Sequence, residues 1–374
     1  MTQAAASSIG ARRAESPGLW MLAWRRFCRD RVGLASFLVV VFFFGLMVAS
    51  GLRLIAAGWS KEVGVNYAPP TFMGPAISDR GSAASAAPDA SRDETSRESN
   101  PADPLAGVLS EIRQKSPGGD DTGIVDPLAD VLAEIRAESG GASLTEAGAP
   151  TLVFGGDRWG RDVLKKTIKG TETSMFVGLV AAFLAAFLAT VFGALAGYYG
   201  GWIDDFFNWF YSVFTSIPYL LLILAIAAVL NQKGTLTVIL ILGLTGWTGI
   251  FRLVRAEYLK HKVREYIQAA DAIGASHARR MFVHILPNVS HVVLVQLSLH
   301  VVLFIKSEVV LSFLGFGVGV DTVSWGSMLN EAQSELILGY WWQLVAATVA
   351  MALLVTGFSL FTDALRDALD PKLK

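Results

Sequence analysis

The chain carries a polar segment between two long apolar runs, and this segment reads Glu265-Tyr-Ile-Gln-Ala-Ala-Asp-Ala-Ile-Gly-Ala-Ser-His-Ala-Arg-Arg-Met-Phe-Val-His-Ile-Leu-Pro-Asn288. A helix is predicted over residues 255–273 and is expected to end at Gly274, because glycine tolerates positive φ. A second helical stretch, 276–285, is expected to end near Pro287, which lacks an N–H donor and disfavours helical conformation at the residue before it. The pattern predicts a short helix that stiff corners join to both flanking runs.

The flanking runs are long enough to cross a membrane, which takes about 20 mostly apolar residues. With 53% apolar and 17% charged residues, the composition excludes a purely soluble or a disordered chain. The predicted fold class is therefore an all-α integral membrane protein, with the short helix roughly parallel to the membrane. Pro218 predicts a kink inside one of the spans. The six predicted transmembrane helices cover residues 32–52, 173–198, 207–230, 235–254, 287–316 and 340–361.

Basic residues predict the orientation, because Lys and Arg concentrate on the cytoplasmic side of short loops. The 252–286 loop holds seven of them, and others lie in both terminal tails, whereas the 317–339 loop holds none. Both termini and the 252–286 loop are therefore expected in the cytoplasm. The first apolar run is too long for the core of a cleaved signal peptide and is expected to be a retained anchor.

Residues 58–172 differ in composition from the rest of the chain. They hold 12 Lys and Arg and 18 Asp and Glu residues, a charge density typical of soluble protein. The low-complexity insertion at about 76–150 is expected to be largely irregular. Within it a short amphipathic helix is predicted twice, at 103–113 and 126–136, each starting with Asp-Pro. The duplication either packs on itself or on the membrane surface, or it docks an extracytoplasmic partner.

The predicted organisation has four parts. A cytoplasmic tail at 1–31 precedes the first transmembrane helix at 32–57, the extracytoplasmic segment 58–172 follows, and residues 173–374 form a core with five transmembrane helices. The net charge of −1 gives no reason to expect nucleic-acid binding. Cys28 is the only cysteine, which excludes an intramolecular disulfide. All five histidines lie between 261 and 300 without a metal-ligand spacing, so no metal site is predicted.

The polar segment resembles the EAA loop of ATP-binding-cassette (ABC) importer permeases, which reads E-A-A, three residues, G, nine residues, then I-x-L-P. Gln268-Ala269-Ala270 matches the first part, Gly274 the glycine, and Leu286-Pro287 the end. Gln268 replaces the glutamate. His284 occupies the isoleucine position, as is usual in the dipeptide and oligopeptide branch.

Five other motifs resemble the same branch and follow one another in its order. Their counterparts are G-T-D-x-x-G-R-D-V-L, A-G-Y-Y-G-G-x-x-D, L-S-F-L-G-x-G, S-W-G-x-M-L and L-R-D-x-L-D-P-R. The prolines usual before the fourth motif are absent. In this chain the motifs are Gly156-Asp-Arg-Trp-Gly-Arg-Asp-Val-Leu164, Ala196-Gly-Tyr-Tyr-Gly-Gly-Trp-Ile-Asp204, Ser312-Phe-Leu-Gly-Phe-Gly317, Ser324-Trp-Gly-Ser-Met-Leu-Asn330 and Leu365-Arg-Asp-Ala-Leu-Asp-Pro-Lys372.

The resemblance covers residues 151–374 and the first apolar run. It implies the type I importer permease fold and the role of the C-type permease of dipeptide, oligopeptide or nickel importers in the bacterial inner membrane. The implied partners are a second, homologous permease, two cytosolic ATP-binding subunits and an extracytoplasmic solute-binding protein. No G-x-x-x-x-G-K-[ST] sequence occurs, so ATP and Mg²⁺ are expected on the partner subunits, and this chain is expected to hold no cofactor and no catalytic residue.

The implied ATPase-coupling residues lie in the cytoplasmic loop 255–287. Movement of the ATPase subunits is expected to displace this loop and switch the spans between inward-facing and outward-facing states. The residues are Glu265, Gln268, Ala269, Ala270, Gly274, His284, Leu286 and Pro287.

Lys306 and Glu308 place two charges inside the fifth predicted span. Two residues apart on a helix, they lie on different faces and are not expected to pair. Either they face a cavity or a partner, or both lie near the outer boundary and extend towards water. Glu308 is the better candidate for the translocation pathway, because E-x-x-L-S-F-L-G resembles the family pattern; Ser312 and Pro218 are the other candidates.

Three alternatives stay open from the residues alone. Gly193 and Gly197 permit either close helix packing or a flexible hinge. A self-contained secondary transporter would need inverted repeats and several buried carboxylates, and no clear inverted repeat is present. An intramembrane serine hydrolase would use Ser312 with His291 or His300, but no G-x-S-x-G sequence surrounds the serine. The permease interpretation is favoured.

Overall fold

The computed structural model describes residues 25–74, 149–319 and 321–369. Most of these residues lie in eleven α-helices and one π-helical turn, Arg280–Ile285. Only isolated β-bridges occur among these residues, so the predicted all-α class is confirmed. Both predicted helices of the insertion lie outside the described residues. The helices are α1 (Arg31–Gly51), α2 (Val163–Tyr199), α3 (Gly201–Thr215), α4 (Tyr219–Leu230), α5 (Thr235–Thr245), α6 (Thr248–Lys262), α7 (Glu265–Ala272), α8 (His277–Arg279), α9 (Leu286–Phe313), α10 (Trp325–Ile337) and α11 (Trp342–Leu369).

Five helical stretches among the described residues are long and apolar enough to cross a membrane: α1, α2, α5 with α6, α8 through α9, and α11. A sixth is added if α3 and α4 together form one broken span. Several boundaries differ from the predicted ones. Residues 52–57 form turns beyond the end of α1, α2 begins ten residues before 173, and α6 continues past 254 to Lys262.

The span that contains Pro218 is broken rather than kinked, which corrects the prediction of one helix over 207–230. α3 ends at Thr215, Pro218 has an extended ψ of 128° just before α4, and the two helix axes differ by 83°. Proline disfavours helical conformation at the residue before it, so the chain leaves the helix before Pro218 and starts a new one after it. The result is a sharp corner in place of a bend.

α2 is the central helix of the described residues and packs against α1, α5, α6 and α9. Small side chains on α2 make this close packing possible. A Cβ atom at Gly197 would lie 2.6 Å from the carbonyl oxygen of Arg255, and one at Gly193 would lie 2.9 Å from Cβ of Val254. α2 runs unbroken through both glycines, so close packing, and not a hinge, explains them.

Large apolar side chains remain exposed along the outer faces of the helices. In water such an area would drive association, whereas in a bilayer it contacts lipid tails or partner helices. This distribution agrees with a multi-pass membrane protein. Examples are Leu38, Phe42, Phe183, Phe187, Trp202 and Trp209.

Candidate functional site

The 265–287 loop begins with α7 and turns at Gly274. Gly274 has a φ of +80°, and its N–H donates to the carbonyl oxygen of Asp271 at 2.8 Å. The predicted break at this glycine is therefore present. The predicted single helix over 255–273 is wrong, because the chain turns at Val263 and Arg264, where Arg264 adopts an extended conformation between α6 and α7.

The second predicted corner, at Pro287, is absent. Leu286 is helical, with φ −53° and ψ −42°, and Pro287 lies in the first turn of α9, continuous with the π-helical turn before it. In an α-helix a proline ring contacts the carbonyl group four residues earlier, and its missing N–H breaks one hydrogen bond. The wider π-helical turn changes this spacing, so the loop continues into α9 as one helical stretch, His277–Phe313.

The predicted coupling residues divide between a buried and an exposed face. Ala270 is buried and lies in α7 beside Ile267, which packs with Met281 in a common apolar cluster. The other face contains Glu265, Gln268, Ala269 and Gly274, all exposed. His284 and Leu286 are partly buried, and Pro287 is exposed. The coupling role of these residues stays a prediction.

Ile273 forms an apolar tip next to the Gly274 turn. Its side chain is 83% exposed, although a large apolar residue at the end of a polar loop gains nothing from contact with water. The sequence analysis did not single out Ile273, although an isoleucine directly before the motif glycine could have indicated an exposed apolar contact residue. The loop therefore exposes an apolar residue at its turn, while the opposite face of α7 is buried against the rest of the protein.

Polar contacts fasten the loop to the end of α2. The hydroxyl oxygen of Tyr198 lies 3.0 Å from Nδ1 of His277. Arg280 contacts the same nitrogen at 3.0 Å and binds Asp271 on the other side of the Gly274 turn at 2.5 Å. Nearby, Arg255 of α6 makes a two-pronged ion pair with Asp204 of α3, both N–O distances being 2.5 Å.

Glu308 is wholly enclosed between helices, so the alternative that both span charges extend towards water is wrong for this residue. Ser174 and Ser312 donate to its two carboxylate oxygens at 2.7 and 2.6 Å. Lys306 is exposed on another face of α9, as the spacing predicts. Within this chain the Glu308 carboxylate is enclosed by α2, α9 and the start of α10. The pathway role of Glu308, Ser312 and Pro218 stays a prediction.

The contacts of Ser312 and His300 do not form a nucleophile–base pair. Ser312 donates to Glu308, and His300 bonds to the carbonyl oxygen of Gln296 at 2.8 Å. No group of three potential metal ligands occurs among the residues that the structure describes.

A buried ion cluster, the Lys166 cluster, lies at the opposite end of α2 from the loop. The Lys166 ammonium group is enclosed and donates to Asp157 at 2.8 Å, to Glu331, and to the Gln343 side chain at 3.5 Å. Asp157 also accepts the backbone N–H groups of Trp159 and Arg161 at 2.9 Å each. The cluster joins residues far apart in the sequence, which is why sequence reasoning missed it.

Glu335 lies beside this cluster and is 1% exposed. Its Oε1 accepts the N–H of Arg158 at 3.3 Å, while its Oε2 has no hydrogen-bond partner among the described residues. Burial raises the pKa of Glu335 to about 7, because a carboxylate loses hydration there; the charge of Lys166 lowers the pKa and that of Asp157 raises it.

Comparison with known proteins gives one consistent result. The family described as "Binding-protein-dependent transport system inner membrane component" matches residues 189–374. The chain is 38% identical over 235 residues to the dipeptide transport system permease protein DppC of Bacillus subtilis, covering 62% of this chain and 73% of that protein. It is 36% identical to the oligopeptide transport system permease protein OppC of the same organism, over 59% of this chain and 72% of the relative. It is 40% identical, with the same coverage, to the glutathione transport system permease protein GsiD of Salmonella typhimurium.

Proposed function

The chain belongs to the family of binding-protein-dependent transport inner membrane components, and we propose that it forms half of the translocation pathway of an ATP-driven importer for peptides or similar small solutes. The family supplies the permease of such importers, not an enzyme, and ATP hydrolysis belongs to separate subunits. The relatives' names concern dipeptides, oligopeptides and glutathione, which is why peptides are the proposed solutes.

The observation that carries the proposal is the 265–287 loop. It connects two membrane helices, buries Ile267 and Met281, and leaves Ile273 exposed at the Gly274 turn. A loop of this kind can receive a push from a soluble partner and pass it to α6 and α9. The proposed contact is with the cytosolic ATPase subunits, which bind ATP and Mg²⁺, so both termini and this loop are proposed to be cytoplasmic.

The proposed assembly contains a second, homologous permease, two ATPase subunits and an extracytoplasmic solute-binding protein. Exposed apolar surface on the membrane helices would contact lipid tails and the second permease. The opposite end of α2, around the Lys166 cluster, is proposed to face the solute-binding protein.

Two experiments test this function. The tagged full-length chain, purified with its native complex, should bring down ATP-binding subunits and a second permease; recovery of the chain alone would count against the assembly.

Proteoliposomes with the complete complex should accumulate labelled trialanine or glutathione only when ATP is supplied to the ATPase side. Uptake driven by a proton gradient without ATP would favour a secondary transporter.

A further inference from the structure

Two adjacent tyrosines at the end of α2 have different surroundings. The Tyr198 side chain is 5% exposed and its hydroxyl lies 3.0 Å from Nδ1 of His277. Tyr199 is 44% exposed and approaches His277 only through its ring, at 6.0 Å between centroids. Of the pair, Tyr198 therefore makes the directional contact with the 265–287 loop.

Arg280 extends this contact across the whole loop. One guanidinium nitrogen lies 3.0 Å from Nδ1 of His277, and another binds Asp271 at 2.5 Å. Because arginine only donates hydrogen bonds, Nδ1 is the acceptor, and its one lone pair is shared between the Arg280 guanidinium and the Tyr198 hydroxyl. Asp271 precedes the Gly274 turn and His277 follows it. The two arms of the loop are thus bound to each other and to Tyr198.

This contact adds a connection that the chain itself does not supply. The loop is covalently joined to α6 and α9, whereas α2 is separated from it by α3, α4, α5 and α6. α2 is 37 residues long, about 55 Å at 1.5 Å per residue. Its other end carries Lys166, which binds Asp157 and Glu331. A displacement passed to Tyr198 would therefore reach the far side of the protein along one helix.

We infer that Tyr198 is a positioning residue for transport: its hydrogen bond to His277 passes displacement of the 265–287 loop to α2, and along α2 to the Lys166 cluster. This inference rests on the proposed function. It adds a third route to the two covalent connections through α6 and α9. Gly197 allows the end of α2 to approach the Arg255 carbonyl of α6 closely.

The test separates the hydrogen bond of the Tyr198 hydroxyl from a purely structural role of the Tyr198 ring. Tyr198→Phe keeps the buried ring and removes only the hydroxyl, and Tyr199→Phe makes the same chemical change at the neighbouring position. The complete complex is reconstituted in proteoliposomes with labelled trialanine and glutathione as probes. ATP hydrolysed and peptide accumulated are measured in the same sample, so that their ratio reports coupling.

The expected result is a loss of coupling without a loss of ATPase activity. Tyr198→Phe should lower the peptide-to-ATP ratio by about fivefold, the effect of one lost hydrogen bond, while Tyr199→Phe leaves the ratio unchanged. His277→Ala should lower the ratio at least as far as Tyr198→Phe, because it also removes the Arg280 contact. The double variant should be no worse than His277→Ala, because both changes remove the same hydrogen bond. His277→Asn, which can accept at a similar position, should restore most of the ratio.

The results that overturn the inference differ from those that overturn the proposed function. Equal ratios for Tyr198→Phe and Tyr199→Phe, or additive losses in the double variant, reject the transmission role of Tyr198. A wild-type complex that accumulates neither probe with ATP rejects the proposed peptide import, and the inference with it. A Tyr198→Phe chain that no longer assembles, while His277→Ala assembles and remains coupled, also rejects the inference.

Discussion

At the scale of single residues, two glutamates of α10 have different surroundings, one in the Lys166 cluster and one beside it. Glu331 binds the Lys166 ammonium group directly, whereas Glu335 is buried with one oxygen unpartnered. A buried carboxylate with too few donors is stabilised by protonation. Burial therefore favours the protonated form of Glu335.

Glu335→Gln should weaken the pH dependence of stability. The pKa of Glu335 is raised to about 7 from an ordinary 4.5, so the folded state holds this proton more tightly than the unfolded state. The contribution of Glu335 to the free energy of unfolding is then highest below pH 4.5 and falls by about 3 kcal/mol as the pH rises to about 7. Thermal unfolding of the purified protein at pH 5 and pH 8 should show a smaller difference in Tm for Glu335→Gln than for wild type.

Glu331→Gln is the control, because it removes the ion pair with Lys166 and should lower Tm at both pH values. If Glu335→Gln kept the wild-type difference between pH 5 and pH 8, the assignment of the proton to Glu335 would be wrong.

Asp204 and Asp205 give a second prediction at this scale. Asp204 makes two hydrogen bonds to Arg255 at 2.5 Å, while Asp205 is exposed. Asp204→Asn should destabilise the protein by about 1–3 kcal/mol, since a two-pronged charged pair is lost and a guanidinium group is left without its partner. Asp205→Asn should change stability by less than about 0.5 kcal/mol. Equal Tm values for the two variants would show that the pair contributes nothing.

At the scale of elements, local rules predicted the ends of helices better than their continuity. Gly274 does end a helix, because only its backbone conformation is involved. Pro287 was expected to make a corner, but a π-helical turn accommodates it. Pro218 was expected to kink a span, but the span is broken there by 83°. In both cases the outcome depends on how the neighbouring helical turns adjust to the proline. The conformational propensity of a single residue does not include this adjustment.

The turn at Gly274 should tolerate residues that accept positive φ and reject those that do not. A Cβ at this position would contact nothing within 4 Å, so any effect comes from the φ of +80°. Gly274→Asn should retain most ATP-dependent uptake, while Gly274→Val and Gly274→Pro should lower it by about tenfold, because a β-branched residue or proline strains or abolishes the turn. Gly45→Val serves as control, since its surroundings are also open. Equal uptake by the Asn and Val variants would contradict this account of the turn.

At the scale of the whole molecule, the spans and the 265–287 loop could be predicted, and the long-range polar contacts could not. Hydropathy marks each span within a single stretch of sequence. The Lys166 cluster joins residues 157, 166, 331 and 343, and the Tyr198–His277 contact joins residues 79 positions apart. No local pattern links such positions. Of these residues only Asp157, Tyr198 and His277 lie inside the motifs, and only the packing of α2 shows what each contacts.

The helical body should function without the insertion. The chain enters and leaves the insertion within one small region, where the N–H of Thr71 donates to the carbonyl of Leu152 and that of Ala149 to the carbonyl of Val63. Replacing residues 76–147 with a short Gly-Ser linker should therefore preserve assembly and leave ATP-dependent uptake within about twofold of wild type. Loss of uptake with intact assembly would instead assign the insertion a role in solute delivery.

Site-specific photo-crosslinking tests the central claim, contact between the 265–287 loop and an ATPase, most directly. Ile273 and Ile337 are matched probes, because they are the same residue type and are 83% and 87% exposed. They lie on the loop and on α10, which contributes Glu331 to the Lys166 cluster. A photoreactive residue at 273 in the native complex should yield an adduct with an ATP-binding subunit, and one at 337 should not. An ATPase adduct from 337, or none from 273, would contradict the account.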